Sequence, residues 1–350
     1  MLQNMNQFWF PSMNNVFFRM VITYFMLITI SSCNSNRDSS LPEITHLAFQ
    51  NERNGNWGMI GIDGKVLFKD KINYRIDLHP SYAVNGVFRT WEFDQSERVE
   101  RLKYYTATEN PNPIGLLEGY KEGGVYSEGI IPVVPYDSRI HYINLQGDTV
   151  FCLNHYKGKD ISMVSSFFTD HRAWFMTEDY KYGYINPKGE VVIEPIYDNI
   201  SPFHNGKAIV YDKQNDKYIA IDTNGKVLFE VGANGKQTHY PFFHNGYCIL
   251  GNFLYNEKGK LIQRLPSTID FASPFKKNVA LVQNQETRLW QLIDIHGNTI
   301  GNSQHDNALG MIDDFVYVGD TLAKEWEEDE SKYMNVYIIN SSFASSTCRF

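Results

Sequence analysis

Hydrophobic and polar positions along this chain alternate in short bursts separated by Gly, Asn, Asp and Pro. The segment KYGYINPKGEVVIEPIYDNISPFHNGKAIVYD (Lys181 to Asp212) shows the plan most fully. Tyr182, Tyr184 and their neighbours alternate as the two faces of a half-buried strand do. The tetrapeptide NPKG follows, with Asn first, Pro second and Gly fourth, which are the preferences of a type I turn. EVVIE then predicts a second strand. A loop carrying Phe203 leads into a third, KAIVYD, and the Asn205-Gly206 pair supplies positive φ at low cost. Long helical periodicity is scarce, so the elements predicted are short β-strands.

The plan recurs. WGMIGIDGKVLF begins at Trp57, YIAIDTNGKVLF at Tyr218 and WQLIDIHGNTIG at Trp290, with weaker copies at Ile140 and Asn252. Each places a Gly seven positions after its start: Gly64, Gly147, Gly189, Gly225, Gly259 and Gly297. The first interval is about twice the others, which predicts a degenerate copy within residues 90–130. A second element interleaves: FHNGKAIV at Phe203, FHNGYCIL at Phe243, FKKNVALV at Phe275, YSEGIIPV at Tyr126 and, more faintly, FTDHRAWF at Phe168. THLAFQNE before Trp57 reads as a strand feeding the first copy. DDFVYVGD and KYMNVYIIN read as a last one. Each unit is then an antiparallel meander of three or four strands that cannot bury its own face, so units must stack. About seven or eight units at a period near 40 fit an all-β β-propeller; an open, curved β-array is the alternative.

Composition agrees with an all-β fold: 15% of the 350 residues are aromatic, with 22 Tyr and 23 Phe. A formal net charge of −8 without a basic block excludes a generic nucleic-acid binder. The four cysteines, Cys33, Cys152, Cys248 and Cys348, show no C-x-x-C spacing and predict no zinc site. Cys152 and Cys248 fall on predicted strands and are expected to be small buried side chains.

The N-terminus reads as an address. Arg19 flanks the apolar run Met20 to Ile30, shorter than the roughly 20 residues of a membrane span but suited to a signal-peptide core. Ile30, Ser31, Ser32 and Cys33 follow. This resembles the bacterial lipobox, which implies lipidation of Cys33, and Asn34 rather than Asp after it implies the outer membrane of a Gram-negative envelope. The expected organisation is a signal peptide over 1–32, a lipidated tether over 33–44 and one repeat domain over 45–350. Membrane contact is expected only through the lipid.

The repeated segments themselves resemble the WG-repeat family of bacterial proteins, whose pattern is Trp-Gly, a strand ending in Ile-Asp, a Gly-capped turn and a Phe-x-x-Gly-x-Ala-x-Val strand. Trp57-Gly58 matches literally. Tyr182-Gly183 keeps the Gly, and Trp290-Gln291 keeps the Trp. The resemblance covers about residues 45–340.

Candidate chemistry is sparse. His204 and His244 hold equivalent places, either as ligand-contacting rings on one face or as polar turn residues, and the neighbouring Asn-Gly pairs favour the turn. No H-x-x-x-H spacing, G-x-S-x-G elbow or dinucleotide loop occurs, so no catalytic residue, metal or cofactor is expected. The acidic run EWEEDE (Glu325 to Glu330) lacks the alternation and Gly of a calcium loop, and Trp326 within it is a candidate partner contact. Trp57 and Trp290 are expected to pack between units. The sequence thus predicts a non-enzymatic, envelope-anchored lipoprotein whose repeat surface binds a protein partner. The alternatives are a carbohydrate-binding surface lipoprotein and a propeller-type hydrolase or lyase.

Overall fold

The structure is a computed structural model that describes residues 42, 44–50, 56–61, 64–72, 82–94, 98–136, 139–231, 243, 246–250, 252–272, 275, 279–305, 307–312, 315–321, 334–340 and 347–349. The described residues contain β-strands and turns and no helix, hence none long and apolar enough to cross a membrane. Strands pair antiparallel in chain order, as meanders, in seven sheets. The first sheet has seven strands and holds two meanders, joined where Ile44–Gln50 pairs with Ala83–Val84. Numbered along the chain, the units are 44–72, 83–114, 122–152, 155–197, 199–231, 247–264, 269–305 and 307–349. Unit 2 is the degenerate copy expected near residues 90–130. Its hairpin Val87–Asp94/Val99–Thr106 is long and lacks the Gly-capped turn of the others. The strands expected before Trp57 and near the C-terminus are Ile44–Gln50 and the pair Phe315–Thr321/Met334–Asn340.

The core lies between units. In Lys207–Asp212 three consecutive residues are fully buried, which alternation on a one-sided sheet would forbid. Ala208 and Val210 pack with Tyr184 and Ile193 of unit 4, whereas Ile209 packs with Phe243 and Leu250 on the side of unit 6. The neighbouring strand Lys217–Asp222 divides the same way, Ile219 and Ile221 backward, Tyr218 and Ala220 forward. Both faces of a middle strand are therefore covered by adjacent units, as stacking requires. The anchors Phe168, Phe203, Phe243 and Phe275 are each at most 3% exposed in these inter-unit clusters. Consecutive meanders of three to five strands sandwiched in this manner make a β-propeller-like repeat fold.

Two kinds of turn hold each meander. In the Gly-capped turns, the Gly N–H donates to the first residue's carbonyl at 2.9–3.0 Å in units 3 to 7. The side-chain oxygen of that first residue accepts two more N–H groups: Asn186 Oδ1 from Lys188 and Glu190 at 3.0 Å each, and Asp222 Oδ1 from Asn224 and Lys226 at 2.9 Å. This is why Asn or Asp recurs there. The other kind is a two-residue turn with both central φ angles positive, as a hairpin's type I′ turn demands. It occurs at Asn85-Gly86, Glu128-Gly129, Asp170-His171 and Asn205-Gly206.

The two-residue turns form a relay. Asn85 Nδ2 donates to Tyr126 O at 3.0 Å. Glu128 accepts the His171 backbone N–H at 2.9 Å, with His171 Nδ1 2.9 Å from its other oxygen. Asp170 accepts the Gly206 N–H at 2.8 Å. In each link a side chain of the earlier unit holds the backbone of the next.

Cys248 is buried as expected, but Cys152 is exposed, and both are free thiols. The strand Thr149–Cys152 is the outermost of its sheet, so its apolar pattern faces water on the side that carries Cys152. Trp57 and Trp290 are half-buried.

Candidate functional site

The site singled out by shape lies where the repeat departs from its plan. A cavity of ≈ 420 Å³ opens between units 1 and 2, lined by Lys71, Ile72, Glu92, Tyr105, Asn110 and Pro111. Lys71 and Ile72 end the outer strand of unit 1. Glu92 and Tyr105 come from the two arms of the unit 2 hairpin. The register pairs Phe88 with Tyr105, Thr90 with Lys103 and Glu92 with Arg101. Directly opposed residues share a face, so Phe88, Thr90, Glu92, Lys103 and Tyr105 stand together on the side toward unit 1. The loop bearing Asn110 and Pro111 is pinned by its threonines. Thr108 Oγ1 donates to Asn110 O at 2.7 Å, and Thr106 Oγ1 accepts the Asn112 N–H at 3.0 Å.

Aromatic rings form the floor. Tyr105 stacks on Phe88 with centroids 5.5 Å apart and an interplanar angle of 19°, and Phe68 lies 6.2 Å beyond. Above the floor sits a charged network. Tyr105 OH donates to Glu92 Oε1 at 2.9 Å, and Lys103 Nζ stands 2.8 Å from Oε2. Burial, and then the Glu92 carboxylate, push the Tyr105 phenol above its ordinary range. It therefore stays protonated at neutral pH, a donor and not a nucleophile. On the opposite wall, Lys71 Nζ donates to Glu109 O at 2.5 Å and Asn110 Oδ1 at 2.9 Å. The Thr90 hydroxyl is buried and meets no hydrogen-bonding partner.

This arrangement can bind and orient. Among the described residues its lining offers one carboxylate and not the pair about 5–10 Å apart that glycoside hydrolysis needs, and it includes no Ser, Cys or His. Among the described residues, no group of three His, Cys, Asp or Glu is placed to hold a metal ion.

Of the residues the sequence singles out, Cys33, His244 and Trp326 lie outside the described residues. His204 is 1% exposed and bridges Lys207 across the Asn205-Gly206 turn. A ring so enclosed offers no face to a partner, and its geometry is that of the turn. None of the cavity residues is singled out by sequence. The one signal toward them is the missing unit between Gly64 and Gly147.

Residues 182–218, which span the Gly-capped hairpin of unit 4 and run through the first inner strand of unit 5 to the start of the second, match the family model for the WG containing repeat. The chain carries a WG repeat. The matched copy is the one with Tyr182 in place of Trp, and its Gly183 explains the second letter. A Cβ there would stand 2.5 Å from Ile193 O and 2.8 Å from Pro195 N. The WG-repeat chain is also similar in fold to two solved structures. The computationally designed Ika8 protein is 13% identical, with a TM-score of 0.51 over 83% of this chain and 92% of that one. Dihydro-heme d1 dehydrogenase NirN in complex with DHE is 9% identical, with a TM-score of 0.55 over 88% of this chain and 73% of that one. At such identities the likeness concerns the fold alone. No curated protein matches the chain significantly.

Proposed function

We propose that this chain is a non-enzymatic lipoprotein, anchored through Cys33 to the outer membrane of a Gram-negative envelope, whose WG-repeat domain binds an envelope protein. The observation that carries the reading is a row of exposed aliphatic residues on the outermost strands of successive units. Val66, Val150, Ile196, Val227, Leu228, Leu261 and Ile262 are 41–61% exposed. Most hold the same place, just after the Gly-capped turn. The strands Val66–Ile72, Thr149–Cys152, Val227–Val231 and Leu261–Arg264 are sheet edges. An edge strand presents unpaired N–H and C=O groups, and aliphatic side chains beside them suit an extended segment of a partner that adds to the sheet. Apolar residues at matching places in several units form a surface wider than any single scattered Leu or Val would provide.

The test places a photo-cross-linking residue at Val227 or Leu261 of the full chain in living cells, with Lys188 in an exposed turn as comparison. One stoichiometric protein adduct from the edge positions, absent from Lys188, supports the reading. No adduct, or equal adducts from all three, refutes it. The anchor is tested separately: Cys33→Ser is expected to move the chain from the membrane fraction to the soluble one, and unchanged membrane association would refute lipidation.

A further inference from the structure

The cavity between units 1 and 2 has a chemistry of its own, distinct from the aliphatic row of the edge strands. Its volume of ≈ 420 Å³ falls within the roughly 300–1,000 Å³ of small-molecule sites. The Glu92 carboxylate and the Lys103 ammonium neutralise each other at 2.8 Å. Lys71 is different. Its ammonium contacts a carbonyl and an amide oxygen and, among the described residues, no carboxylate. Those two contacts fix its position, leave its third N–H available and leave its charge uncompensated.

Glu92 accepts one bond on each oxygen and keeps further lone pairs, since a carboxylate offers about four acceptor sites. Ile72, Pro111 and the stacked Tyr105 ring give the same cavity an apolar wall. The complement of these groups is a small ring with several hydroxyls, one apolar face and one carboxylate.

We propose that this cavity is a binding site for an acidic saccharide unit, with the sugar carboxylate at Lys71, ring hydroxyls at Glu92, and an apolar ring face against Tyr105, Ile72 and Pro111. Lys71 and Ile72 end the edge strand Val66–Ile72, whereas the cross-linking positions Val227 and Leu261 lie in units 5 and 6, so the two tests are separable.

The test is saturation-transfer NMR of the full folded chain with D-glucuronate, D-glucose and acetate as probes. D-Glucuronate is expected to bind, D-glucose to bind about tenfold more weakly or not at all, and acetate to fail as a competitor. Lys71→Met is expected to weaken glucuronate binding about tenfold, the size of one charge-assisted hydrogen bond, and to erase its preference over glucose. Lys71 is exposed, so its loss leaves the fold intact. No signal from glucuronate, equal binding of glucose, or displacement by acetate would each overturn the assignment. So would a Lys71→Met variant that binds as the parent does. Failure here leaves the edge-strand adducts untouched, and loss of those adducts leaves this site untouched.

Discussion

Gly64 and Gly189 fill the same turn position with the same backbone, φ 81° and 80°, yet their surroundings differ. A Cβ built on Gly64 meets nothing within 4 Å, whereas one on Gly189 would stand 2.5 Å from Phe151 Cδ2 and 2.8 Å from its Cγ. Substitution by Ala therefore separates two costs. The left-handed backbone costs any non-Gly residue about 1–2 kcal/mol, and that is all Gly64→Ala should lose. Gly189→Ala must also displace the Phe151 ring, which stacks on Tyr142 at 4.3 Å and 19°. Losing such a pair costs about 0.5–1.5 kcal/mol, so Gly189→Ala should lose about 2–4 kcal/mol in all. Urea denaturation of the two variants measures the difference. In a double-mutant cycle, Phe151→Ala should bring the cost of Gly189→Ala down to that of Gly64→Ala, a coupling of about 1 kcal/mol. If both glycine variants lose equally, or the cycle shows no coupling, the packing of unit 4's turn against unit 3 is wrong.

Three further outcomes follow from the same geometry. Asn186→Ala removes the one side-chain oxygen that accepts two backbone N–H groups of an exposed turn and should cost about 1–2 kcal/mol, while Asn186→Asp should cost almost nothing, since Asp222 and Asp294 do the same work; denaturation midpoints decide. In the native protein a maleimide should label Cys152 within minutes and Cys248 only after denaturation, because burial encloses Cys248 and pushes its thiol up; peptide mapping that found native Cys248 labelled would refute this. Hydrogen bonds from Lys157 and then Tyr156 hold the Glu194 carboxyl below its ordinary range, so its small contribution is complete above about pH 4.5 and is lost as pH falls through the depressed value; Glu194→Gln should flatten that acid limb at low salt, and an unchanged limb would count against the contact.

Much of the fold is legible because it is local. Gly at one fixed place in six copies, with Asn or Asp three positions before it in five of them, is a backbone requirement written directly in the sequence. The Phe anchors are equally plain, since a large ring beside an Asn-Gly turn must be buried somewhere. The two-residue turns are legible at Asn205-Gly206 but less so at Asp170-His171, where no Gly marks the turn. Cys152 misleads because an apolar run looks the same on a covered strand as on an outermost one. His204 misleads less: the turn reading beside the ligand reading was the one its burial favours. The cavity is illegible, because Lys71 and Glu92 meet only through the stacking of two units, in the one stretch where the repeat has lost its signature.

The turn relay has a direction. In every link the side chain comes from the earlier unit and the backbone group it holds from the later one. A chain delivered N-terminus first, in synthesis or in export, presents the earlier unit first. Asn85, Glu128 or Asp170 can wait in water at little cost until the later unit's backbone group arrives. Each newly delivered unit thus finds its partner already in place, and the N-to-C order of delivery is also the order in which the wall can be laid.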